Sequence, residues 1–302
     1  SNNSTNRMRK QILFCAALLL LSILSSVSVV AEDVIPQPNN ISYSKGYFTL
    51  NKGLKAVTNL TGQDFKVLNQ FTSDDMDMPL ISMKKPSKAY NVRLICTGTA
   101  LQATQAQDSA RLQGYELEVS PKSITIQSLT PTGLFYGLLT LAQLEKGRQI
   151  PCVKVKDTPR FPYRGLMIDC SRHFWTKKFI MKQLDAMAYF KLNRFHWHLT
   201  DGGGWRMEVK QYPRLTNETA YRTQSDWVKW WMEKDRKYCP VGTPGAYGGY
   251  YTQQDIKDIV RYAAARHITV IPEIEMPGHS DEVVYAYPEL SCTGKPYTQS
   301  DL

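Results

Sequence analysis

No glycine-rich loop of the dinucleotide- or phosphate-binding type follows any strand-like run in this chain, so nucleotide cofactor chemistry has no obvious seat. The cysteines match no zinc spacing. No RNA- or DNA-binding module accompanies the formal charge of +10, and the basic residues are scattered apart from Arg7, Arg9 and Lys10 and then Lys234, Arg236 and Lys237. Nucleic acid is therefore not an expected partner. Internal repeats and low-complexity stretches are missing. No tryptophan precedes Trp175, yet six follow, counting Trp175 itself. The apolar run at residues 12–24 is too short for a comfortable membrane span.

That run belongs to a targeting pattern. Arg7, Arg9 and Lys10 form a basic lead, and Val29-Val30-Ala31 is a small-residue cleavage site before Glu32 and Asp33. The sequence predicts a signal peptide within residues 1–31, initiated at Met8, and export to a periplasmic or extracellular space with no membrane span left after cleavage. Five cysteines would remain: Cys96, Cys152, Cys170, Cys239 and Cys292. An oxidising compartment permits disulfides, but an odd number leaves at least one unpaired within the chain.

Two rhythms follow. Over residues 32–157, short β-like runs (47–50, 92–95, 115–119 and 123–127) alternate with turns, and a helix is expected over 132–144 with Leu134, Leu138, Leu141 and Leu144 apolar. This predicts an α+β domain of antiparallel strands with a helix on one face. Asp157-Thr158-Pro159-Arg160-Phe161-Pro162 marks a boundary, because its two prolines stop either element from continuing. Over 158–302 strands (165–170, 194–199, 268–275) alternate with helices (176–190, 252–267), and Phe179, Leu184, Met187 and Ala188 are expected to face inward. Near-continuous apolar strands alternating with helices predict a parallel sheet, barrel or doubly wound. Gly202-Gly203-Gly204 reads as a flexible loop.

In a parallel barrel the chemistry sits where strands end. Each predicted strand ends in polar groups: Asp169 with Arg172 and His173, then His196-Trp197-His198-Leu199-Thr200-Asp201, then Glu273-Ile274-Glu275 leading to Gly278-His279. His196 and His198 share a strand face and could seed a metal site. Glu273 and Glu275 also share a face, but side chains parallel on one strand would not flank a substrate, so a supporting role is expected. Asp281 and Glu282 read as acidic residues complementing a helix dipole. The six tryptophans suit stacking on sugar faces or core packing.

Three long motifs closely resemble glycoside hydrolase family twenty. They are Pro159-Arg160-Phe161-Pro162-Tyr163-Arg164-Gly165-Leu166-Met167-Ile168-Asp169 with Ser171-Arg172-His173-Phe174, then Lys191-Leu192-Asn193 through Asp201 to Gly204-Trp205-Arg206, and Ile271-Pro272-Glu273-Ile274-Glu275-Met276-Pro277-Gly278-His279-Ser280. The resemblance implies an α+β N-terminal domain followed by a (β/α)₈ TIM barrel, of which this chain carries about the first three strands. It implies an exo-β-N-acetylhexosaminidase acting on glycans with terminal N-acetylglucosamine or N-acetylgalactosamine, by a retaining mechanism in which the substrate's own acetamido oxygen attacks the anomeric carbon. Arg164 matches the arginine that binds the sugar's 3- and 4-hydroxyls. Asp201 and His279 match the partners that position and tune the acid, and His198, Trp205 and Glu275 are expected at the sugar. No metal or cofactor is implied, and the oligomeric state is left open. The family's His-x-Gly-Gly-Asp-Glu motif, which carries the acid and its aspartate neighbour, does not occur in these 302 residues. The chain alone is accordingly expected to be inactive and poorly soluble. Two other readings remain at this stage: a metal-dependent barrel hydrolase built on His196 and His198, and a glycan-binding relative without catalysis.

Overall fold

A buried helix organises the first half of the molecule. In the computed structural model, which describes residues 34–233 and 237–295, the segment Pro131–Leu144 is helical and thirteen of its fourteen residues are buried. Thr130 caps it by accepting from the Gly133 amide, and Pro131 occupies the first turn, where a missing N–H costs nothing. A helix apolar on all sides needs cover on all sides. One side packs on a seven-stranded sheet. Gly133 allows this close approach, because a Cβ there would lie 2.4 Å from the Gly114 carbonyl oxygen.

That sheet contains β1 (Asn40–Thr49), β2 (Ala56–Thr58), β3 (Leu80–Ser82), β4 (Val92–Cys96), β5 (Tyr115–Val119), β6 (Ile124–Ser128) and β7 (Gln149–Asp157), in the order β1-β7-β5-β6-β4-β2-β3. The expectation of an antiparallel domain is only half met. β1, β7, β5 and β6 pair antiparallel, but β2 pairs parallel with both β3 and β4, and β4 parallel with β6. The reason lies in the connections. The Gly62–Met76 helix carries the chain back between β2 and β3, and such a crossover makes neighbours parallel. β5 and β6 form the expected hairpin around Ser120-Pro121-Lys122.

The second half carries β8 (Gly165–Asp169), β9 (Arg194–His198) and further on β15 (Thr269–Glu273), a parallel sheet in the order β15-β9-β8. Between them run the helices Lys177–Tyr189, capped by Thr176, and Gln253–Ala264, opened by a capping box between Thr252 and Asp255. The first buries Ile180, Leu184, Met187 and Ala188. Ile180 takes the inward place expected of Phe179, whose ring instead stacks on Trp175 with centroids 4.0 Å apart. Three short pairings complete the order: β10 (Thr200–Asp201) with β11 (Gly204–Trp205), and β12 (Tyr221–Arg222) with β13 (Tyr238–Cys239) and β14 (Tyr247–Gly248).

The described residues from Pro38 onward pack as one compact unit. The two halves meet through polar side chains at the start of the parallel strands. Lys191 is 4 % exposed and donates to Thr140 Oγ1 at 2.7 Å, beside Tyr115, whose hydroxyl lies 3.3 Å from Asp157. Arg194 reaches Gln107 and Asp108, and Thr132 bonds His267 at 3.1 Å. No helix among the described residues is long and apolar enough to cross a membrane. The cysteines Cys96, Cys152, Cys170, Cys239 and Cys292 are all free thiols. The expected signal segment, residues 1–31, lies outside the described residues.

Burial pushes the Lys191 ammonium down to about 8 against the pull of Asp157. Its folded value lies below its unfolded value of 10.5, so between these two pH values the unfolded chain binds more protons and stability rises with pH. Thermal unfolding is expected to show this rise from about pH 8 to 10.5, and Lys191→Met should abolish it. An unchanged slope in the variant would place the titration elsewhere.

Candidate active site

The register of the parallel sheet decides which side chains meet. Asp169 lies opposite His198 on one side, and Glu273 opposite His198 on the other, so the three form one row at the ends of β8, β9 and β15. Alternation along β9 turns Phe195 and Trp197 toward the helices, where both are fully buried, and His196 and His198 toward the other face. His196 and His198 thus share a face, as expected, and both approach Glu273 Oε2.

His198 is enclosed by acids. Its Nδ1 faces Glu273 and its Nε2 lies 3.1 Å from Asp201 Oδ2. An imidazole with a carboxylate at each nitrogen holds both protons. The bond to Asp201, aided by Glu273 and opposed by burial, raises its pKa to about 9. The bond from His198 in turn holds the Glu273 carboxyl below its ordinary value.

Asp201, 3 % exposed, is the centre of the arrangement. Burial acts against its charge. The bond from His198 acts for it, as do Arg172 Nη2 at 2.7 Å, His279 Nδ1 at 3.1 Å and the Gly202 amide at 2.7 Å, and together they hold its pKa below the usual carboxylate value. Arg172 is oriented from behind by Asp169, whose Oδ2 accepts Nη1 at 2.8 Å and whose Oδ1 accepts the Ser171 and Arg172 amides. His279 sits in the left-handed region at φ +54°, with a well-exposed ring. With Nδ1 turned to Asp201, its Nε2 has no partner among the described residues.

The turn that presents Asp201 is rigid. Gly202-Gly203-Gly204 was expected to be flexible, but all three residues are buried. A Cβ on Gly203 would lie 2.9 Å from the Ser171 carbonyl oxygen, and one on Gly204, at φ +148°, would meet the Arg206 guanidinium at 2.7 Å. Ser171 Oγ donates toward the carbonyls of Asp201 and Gly204. Arg206, wholly buried, donates to the carbonyls of Cys170, Ser171, Gly203, Ala220 and Gly249. The glycines are there for space, not mobility.

Three expected site residues lie elsewhere or act differently. Arg164 precedes β8, at the opposite end of the strand from Asp169; five residues of strand span about 16 Å. Its guanidinium donates to Lys191 O, Gln113 Oε1, Phe161 O and the Tyr136 hydroxyl, all between the two halves of the molecule. Arg172, which follows the same strand, is the arginine that reaches Asp201 and His279. Trp205 is 2 % exposed, packed with Leu215 and Ala286, and its indole N–H is spent on the Met207 carbonyl, so it is core. His198 has both nitrogens committed to acids and braces Asp201. Glu275 does stay close: its carboxylate lies within 4.8 Å of ligand atoms of His198 and Glu273, and its amide donates to Thr200. These three could be taken for a metal cluster, but His198 would first have to surrender a proton held between two carboxylates.

The segment Asp281–Ala286 is helical, with Asp281 and Glu282 in its first turn as expected. Glu282 is fully buried, and neither carboxylate oxygen has a hydrogen-bond partner among the described residues.

A family model described as "Glycosyl hydrolase family 20, catalytic domain" matches residues 161–301, and one for domain 2 of the same family matches 31–158. The chain belongs to glycosyl hydrolase family 20. Among curated proteins, a beta-hexosaminidase of Porphyromonas gingivalis is 36% identical over 277 residues, covering 86% of this chain and 32% of that protein. One from Akkermansia muciniphila is 40% identical over 207 residues, covering 66% and 39%. Among solved structures, a family 20 exo beta-N-acetylglucosaminidase of Vibrio harveyi in complex with N-acetylglucosamine superposes with a TM-score of 0.68 at 30% identity, covering 86% of this chain and 38% of that one. A beta-N-acetylhexosaminidase of Bacteroides fragilis does so with a TM-score of 0.70 at 28% identity, over 88% and 50%. The chain spans about a third of the length of the curated relatives it matches.

Within this family 20 chain Glu282 offers a clean test. Burial raises its pKa from 4.5 to about 8. An acid with a raised folded value leaves the folded state holding a proton that the unfolded chain has lost, so stability falls as pH rises from 4.5 to 8. Glu282→Gln is expected to flatten that fall and to raise the melting temperature most at pH 8 and above. A variant that melts lower at every pH would mean that the carboxylate has a partner.

Proposed function

We propose that the protein containing this chain is an exo-β-N-acetylhexosaminidase that releases terminal N-acetylglucosamine or N-acetylgalactosamine from glycans. The observation that carries this reading is the Asp201–His279 pair beside Arg172 at the strand ends of a family 20 domain. The names of the relatives support it. The full barrel would have eight strands, with β8, β9 and β15 as its first three.

In the substrate-assisted route, the sugar's acetamido oxygen attacks the anomeric carbon while a protein acid protonates the departing glycosidic oxygen. Water then opens the oxazolinium intermediate, and the configuration is retained. The acid and the aspartate that orients the acetamido group belong to a motif absent from these 302 residues. What this chain supplies is the floor. Arg172, a planar donor fixed by Asp169, is suited to the hydroxyls of a pyranose. His279, backed by the ionised Asp201, directs Nε2 outward, where it can bond the acid and set its proton affinity. His198, itself held by Glu273, helps keep Asp201 in charge and place. The signal-like pattern at residues 1–31 supports export, where such glycans are met. The chain alone, without acid or orienting aspartate, should not turn over.

The test is release of p-nitrophenol from its N-acetyl-β-glucosaminide by the full-length protein. Arg172→Met should raise KM at least about tenfold through loss of charged hydrogen bonds. Asp201→Asn should lower kcat on the order of 100-fold. Arg164→Met should lower thermal stability while leaving KM in place. The reverse pattern, with Arg164 governing KM and Arg172 silent, would return the sugar to the other end of β8. A full-length protein with no glycosidase activity would remove the reading.

A further inference from the structure

Glu275 is an acid at the strand ends that the Asp201 cluster does not use. Its backbone is fixed on both sides. Thr200 Oγ1 accepts its amide at 2.9 Å, and Ser280 Oγ donates to its carbonyl at 3.0 Å. Its carboxylate accepts no hydrogen bond among the described residues. Two other groups with lone pairs stand beside it. Register sets Glu273 opposite His198, and Glu275 follows two residues later. One ligand atom each from His198, Glu273 and Glu275 lie within 4.8 Å of one another.

A second layer aims these three groups inward. His198 spends Nε2 on Asp201 at 3.1 Å, so Nδ1 is the nitrogen that faces the carboxylates. Glu273 Oε2, which meets that Nδ1, also meets Nε2 of His196. Thr200, fully buried, anchors the backbone of Glu275. An imidazole whose outer nitrogen rests on a carboxylate, and a carboxylate bonded in turn by a further group, are what orient the ligands of a metal ion.

We infer that His198 Nδ1, Glu273 and Glu275 form a binding site for a divalent transition-metal ion, with zinc the ion that their donors suit. The inference stands apart from the hydrolase reading. Bonds of about 2.0–2.2 Å put tetrahedral ligand atoms about 3.4 Å apart, so side-chain rotations suffice to close these three groups on an ion. One imidazole with two carboxylates fits zinc, whereas calcium takes a shell made of oxygens alone. Three protein ligands leave a fourth position for water. The ion takes the place of the Nδ1 proton: the His198–Glu273 bond opens, the proton leaves to solvent, and the Nε2 proton stays on Asp201. The Glu273 side chain is 32 % exposed and gives both a path. Occupancy would set a doubly charged ion one imidazole away from Asp201.

The experiment titrates the metal-stripped full-length protein with zinc chloride in a calorimeter, with nitrogen-15 spectra of the histidine rings recorded alongside. One zinc ion per chain should bind at micromolar concentration, and calcium chloride in excess should not compete. Glu275→Gln should weaken the binding at least about tenfold, and His196→Ala, which frees Glu273 without removing a ligand, about tenfold. The spectra should show Nδ1 of His198 shifted by the metal while Nε2 keeps its proton. No zinc uptake by the wild-type protein at millimolar concentration, zinc that leaves His198 Nδ1 unmoved, or binding unchanged in Glu275→Gln overturns the site. Should the variants not fold, the wild-type spectra decide. Zinc binding by a protein without glycosidase activity would remove the hydrolase reading and keep this site; an active protein that takes up no zinc would do the reverse.

Discussion

The site depends on keeping one buried carboxylate charged. Asp201 sits where a lone anion would be costly, and an arginine, a protonated histidine, a second histidine and a backbone amide surround it. Each partner comes from a different place in the chain. Arg172 follows β8, His198 ends β9, His279 follows β15, and Gly202 is in the turn itself. The carboxylate therefore measures whether three parallel strands are in register. A slip of one residue along β9 would turn His198 to the helix side, because side chains alternate between faces, and would deprive Asp201 of the bond from that imidazole.

The rest of the structure secures that register. At the start of the strands Arg164, Lys191 and Arg194 lock the parallel sheet to the Pro131–Leu144 helix and its neighbours. At their ends Arg206 and Arg222 bind backbone carbonyls of the loops that follow. The two ends thus use buried arginines for opposite purposes, one joining the halves of the molecule and one stiffening the presentation of Asp201. Glu282 is the exception in this pattern, a buried acid without a hydrogen-bond partner among the described residues, in the helix that follows His279.

Much of this was legible in the residues. The strand and helix periods of the second half placed β8, β9 and β15 nearly to the residue, and the polar strand ends do come together in one cluster. Asp201 and His279 were found there and do meet. Arg164 does not reach the Asp201 cluster: a motif shows which residues stand near one another in sequence, but not which end of the strand each occupies. The signal that separates them is spacing. Arg172 lies three residues past Asp169, close enough to be held by it, whereas Arg164 lies a whole strand away. Trp205 shows a second limit, since an aromatic in a polar motif can serve the core as readily as the ligand. In the first half the pairings of β2 were hidden because β2 and β3 are three residues long, too short to show a period, while β4 and β6 read as strands whose residues do not reveal that they pair parallel.

The protonation of His198 tests the central claim most directly. Nitrogen-15 spectra of its ring, recorded across pH, should show both nitrogens protonated through neutrality and a titration near pH 9, as the flanking Asp201 and Glu273 require. A neutral ring at pH 7, with one nitrogen bare, would mean that the acids on either side do not hold a cation, and the account of how Asp201 stays ionised would be wrong.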